Sequence, residues 1–306
     1  MAPTSASTTI DHGETSEMSY ATKFVNDKDV IWYKKNIDHK VTPEVREMLE
    51  EYSGISANEV LQHVHKIVRN LLPIPHPTKQ TKKDSDPPRH HRETKHGPSR
   101  TYPCTGLGIW LTPMISHQEI YTSILARLKN GAALLDKLYG VDIASHWDVG
   151  FEMFRDGSKF YGKFIECDIL TPNKELTALE GSFDVIYIAQ VLHQWGWDVQ
   201  VAALKELVRL SKPKKNTIVF GFQLGQVRGG VKVLETAKSR ATYFWHDEET
   251  FKELWRQVGE ETGTKWVADA TLKSWEEGGL DPKDTAYLGP DTRFLGFVVR
   301  RLDEGE

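Results

Sequence analysis

Six short apolar runs in the last 170 residues constrain this chain more than any other feature: KLYGVDI, KFIECDIL, FDVIYIAQVL, NTIVFGFQLG, KWVADATL and RFLGFVVRRL. A brief LLD at 134–136 precedes them. Between the third and fourth runs lies VQVAALKELVRLSKPKK, in which Val201, Leu204, Leu207 and Val208 fall on one helical face. Runs that are apolar throughout predict strands covered on both faces. Their alternation with helices predicts an α/β fold with a mostly parallel sheet. The last two runs have no strong helix between them and predict an antiparallel C-terminal pair.

The front of the chain is helical. In VTPEVREMLEEYSG, Thr42 can cap, Pro43 suits the first helical position, and Val45, Met48, Leu49 and Tyr52 share a face before Gly54. SANEVLQHVHKIVRNLL then opens on a capping box, Ser56 and Glu59, and carries a stripe of Val60, Leu61, Val64, Ile67 and Leu71. A third amphipathic segment, HQEIYTSILARLKNGA, places Ile120, Ile124, Leu125 and Leu128 together.

Composition sets the limits between these segments. Residues 1–27 are polar and without period, and 73–101 combine repeated prolines and mixed charges with almost no apolar residue, so both are expected to be disordered. The expected organisation is a disordered N-terminus (1–27), a helical lid (28–72), a disordered insertion (73–101) and an α/β domain (102–306). His90, His91 and His96 sit in the insertion, where nothing offers the outer-shell support a zinc site needs, so no metal is expected.

A net charge of −4 gives no positive field for nucleic acid or an anionic membrane. Cys104 and Cys167 are far apart and form neither a disulfide framework nor a metal knuckle. With no leader-like or membrane-spanning run, the expected location is cytoplasmic. The expected partner is a small molecule, with a homodimer left open.

Three of the strand-like runs end in a polar residue: Asp142 in YGVDI, Asp168 in FIECDIL and Gln190 in YIAQVL. Ligands of open α/β sheets sit outside the carboxyl ends of the strands, so these side chains are expected to converge on one crevice. An acid ending a strand suits the hydroxyls of a ribose, although such residues also cap the following turn.

With these residues in place the chain resembles the class I S-adenosylmethionine-dependent methyltransferases, whose sheet is Rossmann-like. More closely it resembles a group of fungal secondary-metabolite methyltransferases that includes enzymes forming methyl esters in meroterpenoid pathways. WYKKNIDHKVTPEVREMLEEYSGI, YPCTGLGIWLTP, LYGVDIASHWDVGFEMFRD, FIECDIL, VLHQWGWDVQV and ELVRLSKP carry the resemblance. It implies S-adenosyl-L-methionine as cofactor, with Asp142 and Ile143 at its ribose, Asp168 and Ile169 at its adenine, and Gln190 and Val191 near its sulfonium. His193 and Trp195 match residues bordering the acceptor pocket, with His193 the candidate base. A lid formed by the front helices and YPCTGLGIW would add Tyr102 and Trp110 to Tyr243, Phe244 and Trp245 as acceptor contacts.

One stretch departs from that pattern. The family places a glycine-rich turn and a helix between its first and second strands, whereas here Leu134-Leu135-Asp136 runs straight into Lys137-Leu138-Tyr139-Gly140-Val141-Asp142. Parallel neighbours need a crossover of about a dozen residues. Either 133–143 is a single strand or the first strand is lost. CTGLG follows no strand and does not replace the loop. The expected activity is O-methylation of a polyketide or terpenoid intermediate, carboxylate to methyl ester. The alternative is a methyltransferase-like protein impaired in, or repurposed from, that reaction. A nicotinamide-dependent oxidoreductase would require a GxGxxG that the chain lacks.

Overall fold

The computed structural model describes residues 36–71, 111, 120–129, 137–143, 145–236 and 239–304. The proposed disordered segments at 1–27 and 73–101, and the whole of 131–136, lie outside the described residues, as do Tyr102 and Trp110.

The front helices form where capping and periodicity place them. α1 (Pro43–Glu47) starts on Thr42, whose hydroxyl accepts from Val45 N at 3.4 Å, and continues as one π-helical turn over Met48–Tyr52. α2 (Val60–Leu71) begins later than the capping box predicts. Ser56 and Glu59 bond each other through their side chains, 3.0 Å apart, instead of bonding reciprocally to backbone. Val60, Val64 and Ile67 are buried as expected, whereas Leu61 is exposed. With Ile37, Val45 and Leu49 they build a core of their own against Met153 of α4 (Trp147–Phe154). This unit is also tied to the far end of the chain: buried Lys40 contacts buried Asp284 at 2.6 Å, Nζ to Oδ2. A further helix, α3 (Ile120–Lys129), covers the sheet with Ile120 and Ile124.

The strands appear in the expected order, in two groups. β1 (Tyr139–Asp142) and β2 (Lys163–Glu166) pair in parallel, followed by the single turn α5 (Lys174–Thr177). β3 (Val185–Ala189) pairs in parallel with β4 (Ile218–Gln226), which pairs antiparallel with β8 (Thr292–Arg301), and β8 pairs antiparallel with β7 (Trp266–Lys273). The antiparallel C-terminal pair is therefore present in an α/β fold of mixed strand direction. A glycine is required at 221, because a Cβ there would lie 1.7 Å from the Ile188 carbonyl oxygen of β3.

α6 (Trp197–Leu210) and α7 (Glu248–Thr262) cover one face of the larger sheet. Val201, Leu204, Leu207 and Val208 of α6 meet Phe251, Leu254, Trp255 and Val258 of α7 over Val219, Leu295 and Val299. Asp247 starts α7 by a reciprocal cap with Thr250, and Gly263 ends it at φ 67°. Two features were not expected from the strand-like runs: α7 itself, and the antiparallel hairpin of β5 (Gly230–Thr236) and β6 (Ser239–Trp245). A short helix, α8 (Pro282–Thr285), carries Asp284.

Among the described residues the two groups share no ladder: β1 pairs only with β2, and β3 only with β4. Val141, Ile143 and Tyr187 are 38%, 52% and 39% exposed, although in a closed doubly covered sheet such positions would be buried. β1 spans only Tyr139–Asp142, and the remainder of the anomalous stretch falls outside the described residues.

Candidate active site

Parallel pairing brings the two acids side by side. Asp142 stands opposite Glu166, and its carbonyl accepts from Cys167 N at 2.9 Å, so Asp142 and Asp168 leave the same edge of adjacent strands. Both are exposed. Asp142 Oδ1 accepts from Ile143 N at 2.7 Å and Asp168 Oδ1 from Leu170 N at 2.9 Å. The turn-capping role is therefore real for both. It is compatible with ligand binding, because a carboxylate offers roughly four lone-pair sites. Ile169 packs against the core, while Ile143 stands out from the strand end as an apolar shelf.

Gln190 ends β3 in an unusual way. Its φ of 58° is left-handed, a conformation that non-glycine residues seldom adopt and that clusters at functional sites. Its N–H donates to Phe222 O at 2.9 Å and its carbonyl accepts from Gln194 Nε2 at 2.8 Å. The chain thus turns sharply off the sheet into the 3-10 turn Leu192–Gln194, where Leu192 is buried and half-buried Val191 precedes it.

That turn is locked to β6. Trp245 Nε1 donates to His193 O at 3.0 Å, and Phe244 N donates to Trp195 O at 3.0 Å. The His193 ring meets Trp245 edge-on at 6.4 Å, and its Nδ1 is shielded from solvent without a hydrogen-bond partner. Burial pushes the imidazole down to about 3, so it is neutral near pH 7.

Strand geometry divides the three consecutive aromatic candidates. Tyr243 and Trp245 pack with Phe222, Trp275, Leu280, Leu288 and Phe294, whereas Phe244 points the other way, against Trp197 and His246 with ring centroids 4.9 Å from each. Alternation with a period of two is the reason. Trp195 packs against the α6–α7 core.

Lys232 of β5 was not singled out from the sequence. Its Nζ sits 5.1 Å from the Trp245 ring centroid and donates to Leu288 O at 3.2 Å. The alternation in GVKVLET was the only signal, and by itself it says nothing about which partner lies beneath. Among the described residues no cluster of three or more His, Cys, Asp or Glu is placed to hold a metal ion, and no helix is long and apolar enough to cross a membrane.

Acids at the ends of β1 and β2, a left-handed Gln190 at the end of β3, and a mixed sheet with helices on its face fit the α/β class anticipated from the sequence. Comparison with known proteins gives that class a particular form: the chain is similar to fungal secondary-metabolite methyltransferases. Residues 32–72 match the family described as the meroterpenoid methyltransferase N-terminal domain. The chain is 29% identical to O-methyltransferase atr3 of Stereocaulon alpinum, over 90% of this chain and 78% of that protein. It is 28% identical to O-methyltransferase phiE of a fungal species, over 90% and 93%. The asnovolin E/chermesin D methyltransferase nvfJ of Aspergillus novofumigatus is 26% identical over 86% and 90%.

Proposed function

We infer that this protein is an S-adenosylmethionine-dependent methyltransferase that esterifies a carboxylate on a polyketide- or terpenoid-type small molecule of fungal secondary metabolism. The observation that supports the reading is the parallel pairing of β1 with β2, which sets Asp142 and Asp168 at one edge, together with Gln190 at the carboxyl end of β3, in the order the resemblance requires. Asp142 and Asp168 would hold the ribose and adenine of the donor, with Ile143 and Ile169 as apolar flanks. Gln190 and Val191 would lie nearest the reacting end. The donor supplies an activated methyl group on a sulfonium.

The remaining task of the protein is to position the two reactants and exclude water. His193, Trp195, Tyr243 and Trp245 would border the acceptor, with the Lys232 ammonium held behind Trp245. A neutral His193 with a strongly lowered pKa is a weak base. A carboxylate is already ionised at neutral pH and needs no base, whereas a phenol with a pKa of about 10 would. This favours ester formation and gives His193 a hydrogen-bonding rather than proton-abstracting role. The relatives' names support O-methylation and leave the acceptor atom open.

Titrating S-adenosylmethionine into the full chain by calorimetry tests the reading. Binding that weakens about tenfold or more with Asp142→Ala is expected, and no heat at high donor concentration would sink it. A second reading, a methyltransferase-like protein that does not transfer methyl groups, is favoured by one observation. Among the described residues, β1 pairs only with β2 and β3 only with β4, and no strand joins them as the family's first strand would. Recovery of donor binding after inserting a glycine loop and helix following Asp136 would support that second reading for the present chain.

A further inference from the structure

The hairpin of β5 and β6 carries its polarity the wrong way round. Alternation sets Lys232, paired with Tyr243, on the face that packs on the aromatic cluster of Trp245 and Phe222. Val231 and Val233 fall on the other face, where they are 65% and 40% exposed. A slip of one residue would turn both valines inward and the ammonium out into water. The observed register therefore forgoes apolar burial and keeps a cation inside.

Among the described residues no acid neutralises that cation. Buried Lys40 meets the Asp284 carboxylate at 2.6 Å, whereas the contacts of Lys232 Nζ are the Leu288 carbonyl at 3.2 Å and the Trp245 ring, 5.1 Å from its centroid. An ammonium has three N–H donors. The carbonyl takes one and the ring face attracts the charge, so a donor remains for a ligand. A half-buried ammonium without a counter-ion pays for its desolvation, and an arriving anion offsets that cost.

Position ties the cation to the crevice. Trp245 Nε1 donates to His193 O, in the turn that leaves the carboxyl end of β3. The His193 ring meets Trp245 edge-on, and its Nδ1 has no partner. Phe222 and Phe294, stacked with centroids 4.8 Å apart, belong to the same cluster. Lys232 thus stands on the face of the hairpin that carries Tyr243 and Trp245, beside a wall of aromatic rings, and is half-exposed rather than sealed.

We propose that Lys232 binds the carboxylate of the methyl acceptor by an ion pair and so selects the acid over neutral molecules of the same shape. This rests on reading the crevice as a methyl-transfer site. One carboxylate oxygen accepts from the ammonium and the other keeps its lone pairs for the methyl group. The methyl ester carries no charge and loses the ion pair, so the same lysine favours departure of the product. The aromatic wall suits an acid with a flat or polycyclic apolar body.

The test measures binding of 2-naphthoate and its neutral isostere 2-naphthamide to the full chain by calorimetry, with S-adenosylhomocysteine present. The unaltered protein is expected to bind the acid about tenfold or more tighter than the amide. Lys232→Met should remove that preference by weakening the acid alone, Lys232→Arg should keep most of it, and S-adenosylhomocysteine binding should stay unchanged in both. Should Lys232→Met fail to fold, Lys232→Gln, which can still donate a hydrogen bond but carries no charge, decides by the same loss. The proposal is overturned if the unaltered protein shows no preference or binds neither probe. It is equally overturned if Lys232→Met keeps the preference, or if it weakens both probes alike and melts lower, as a lysine that only props Trp245 and Leu288 would. Absence of S-adenosylhomocysteine heat with the acid preference intact would sink the methyl-transfer reading and leave Lys232 standing as an acid-binding residue.

Discussion

The two strand groups differ in how firmly they are built, and the difference bears on function. β4 and β8 run for nine and ten residues, pair along their whole lengths and bury a continuous core under α6 and α7. β1 and β2 are four residues each, with Val141 exposed at the end of the first. The residues proposed for the acceptor pack against the massive group, and those proposed for ribose and adenine sit on the slight one. Stability and donor binding should therefore respond to different substitutions.

The largest expected effect lies in the massive group. Phe251→Ala removes a fully buried ring between His246 and Phe297, and should lower unfolding free energy by about 3–5 kcal/mol in urea denaturation. Val141→Ala should change it by less than about 0.5 kcal/mol. Equal losses would mean that the two groups are equally packed.

Lys40→Met comes next, because it leaves Asp284 without its buried ammonium. A loss of roughly 3 kcal/mol or more is expected, and restoring an apolar partner with Asp284→Leu should recover much of it. This pair links the front helices, which pack on α4 between β1 and β2, to α8 ahead of β8. Protease cleavage within the front helices should therefore rise in Lys40→Met before the core unfolds.

Acid sharpens the comparison from another side. His246 is fully buried, and desolvation lowers its pKa to about 4 against bonds and a nearby Asp247 that raise it. Its unfolded value is about 6.5. Between these values the unfolded chain binds the extra proton, so the contribution is complete above pH ~6.5 and is lost as pH falls toward 4. A loss on the order of 3 kcal/mol across that window is expected, and His246→Gln should flatten the profile. His193, whose pKa burial lowers to about 3, acts in the same direction.

The smallest expected effect on stability belongs to Asp142→Ala. Melting should shift by no more than a degree or two, because the side chain is exposed and holds only the Ile143 amide, while donor affinity falls about tenfold or more. A large melting shift with unchanged affinity would make Asp142 a turn residue only.

Much of the fold was legible because it rests on local signals. Apolar runs of strand length, the Thr42–Pro43 helix start and the α6 stripe each depend on neighbours within a turn or a pleat, and all three appear where the periodicity places them. The hairpin was not legible. Its strands alternate polar and apolar residues around Ala237-Lys238, and Val231 and Val233 remain exposed. α7 differs in that its signal is local, a cap at Asp247 and a stripe of Phe251, Leu254, Trp255 and Val258.

By itself the sequence determined the order of the strands written as apolar runs, the polar residues at three strand ends and the resemblance they carry, because each of these is written within a few consecutive residues. Tertiary structure alone decided which of Tyr243, Phe244 and Trp245 share a face, that Lys40 meets Asp284 across 244 positions, and that Gln223 is buried without a partner where Gln200 has three. The physical reason is that burial and hydrogen-bond satisfaction are properties of the groups that surround a side chain. In this chain those groups arrive from β strands and helices remote in sequence.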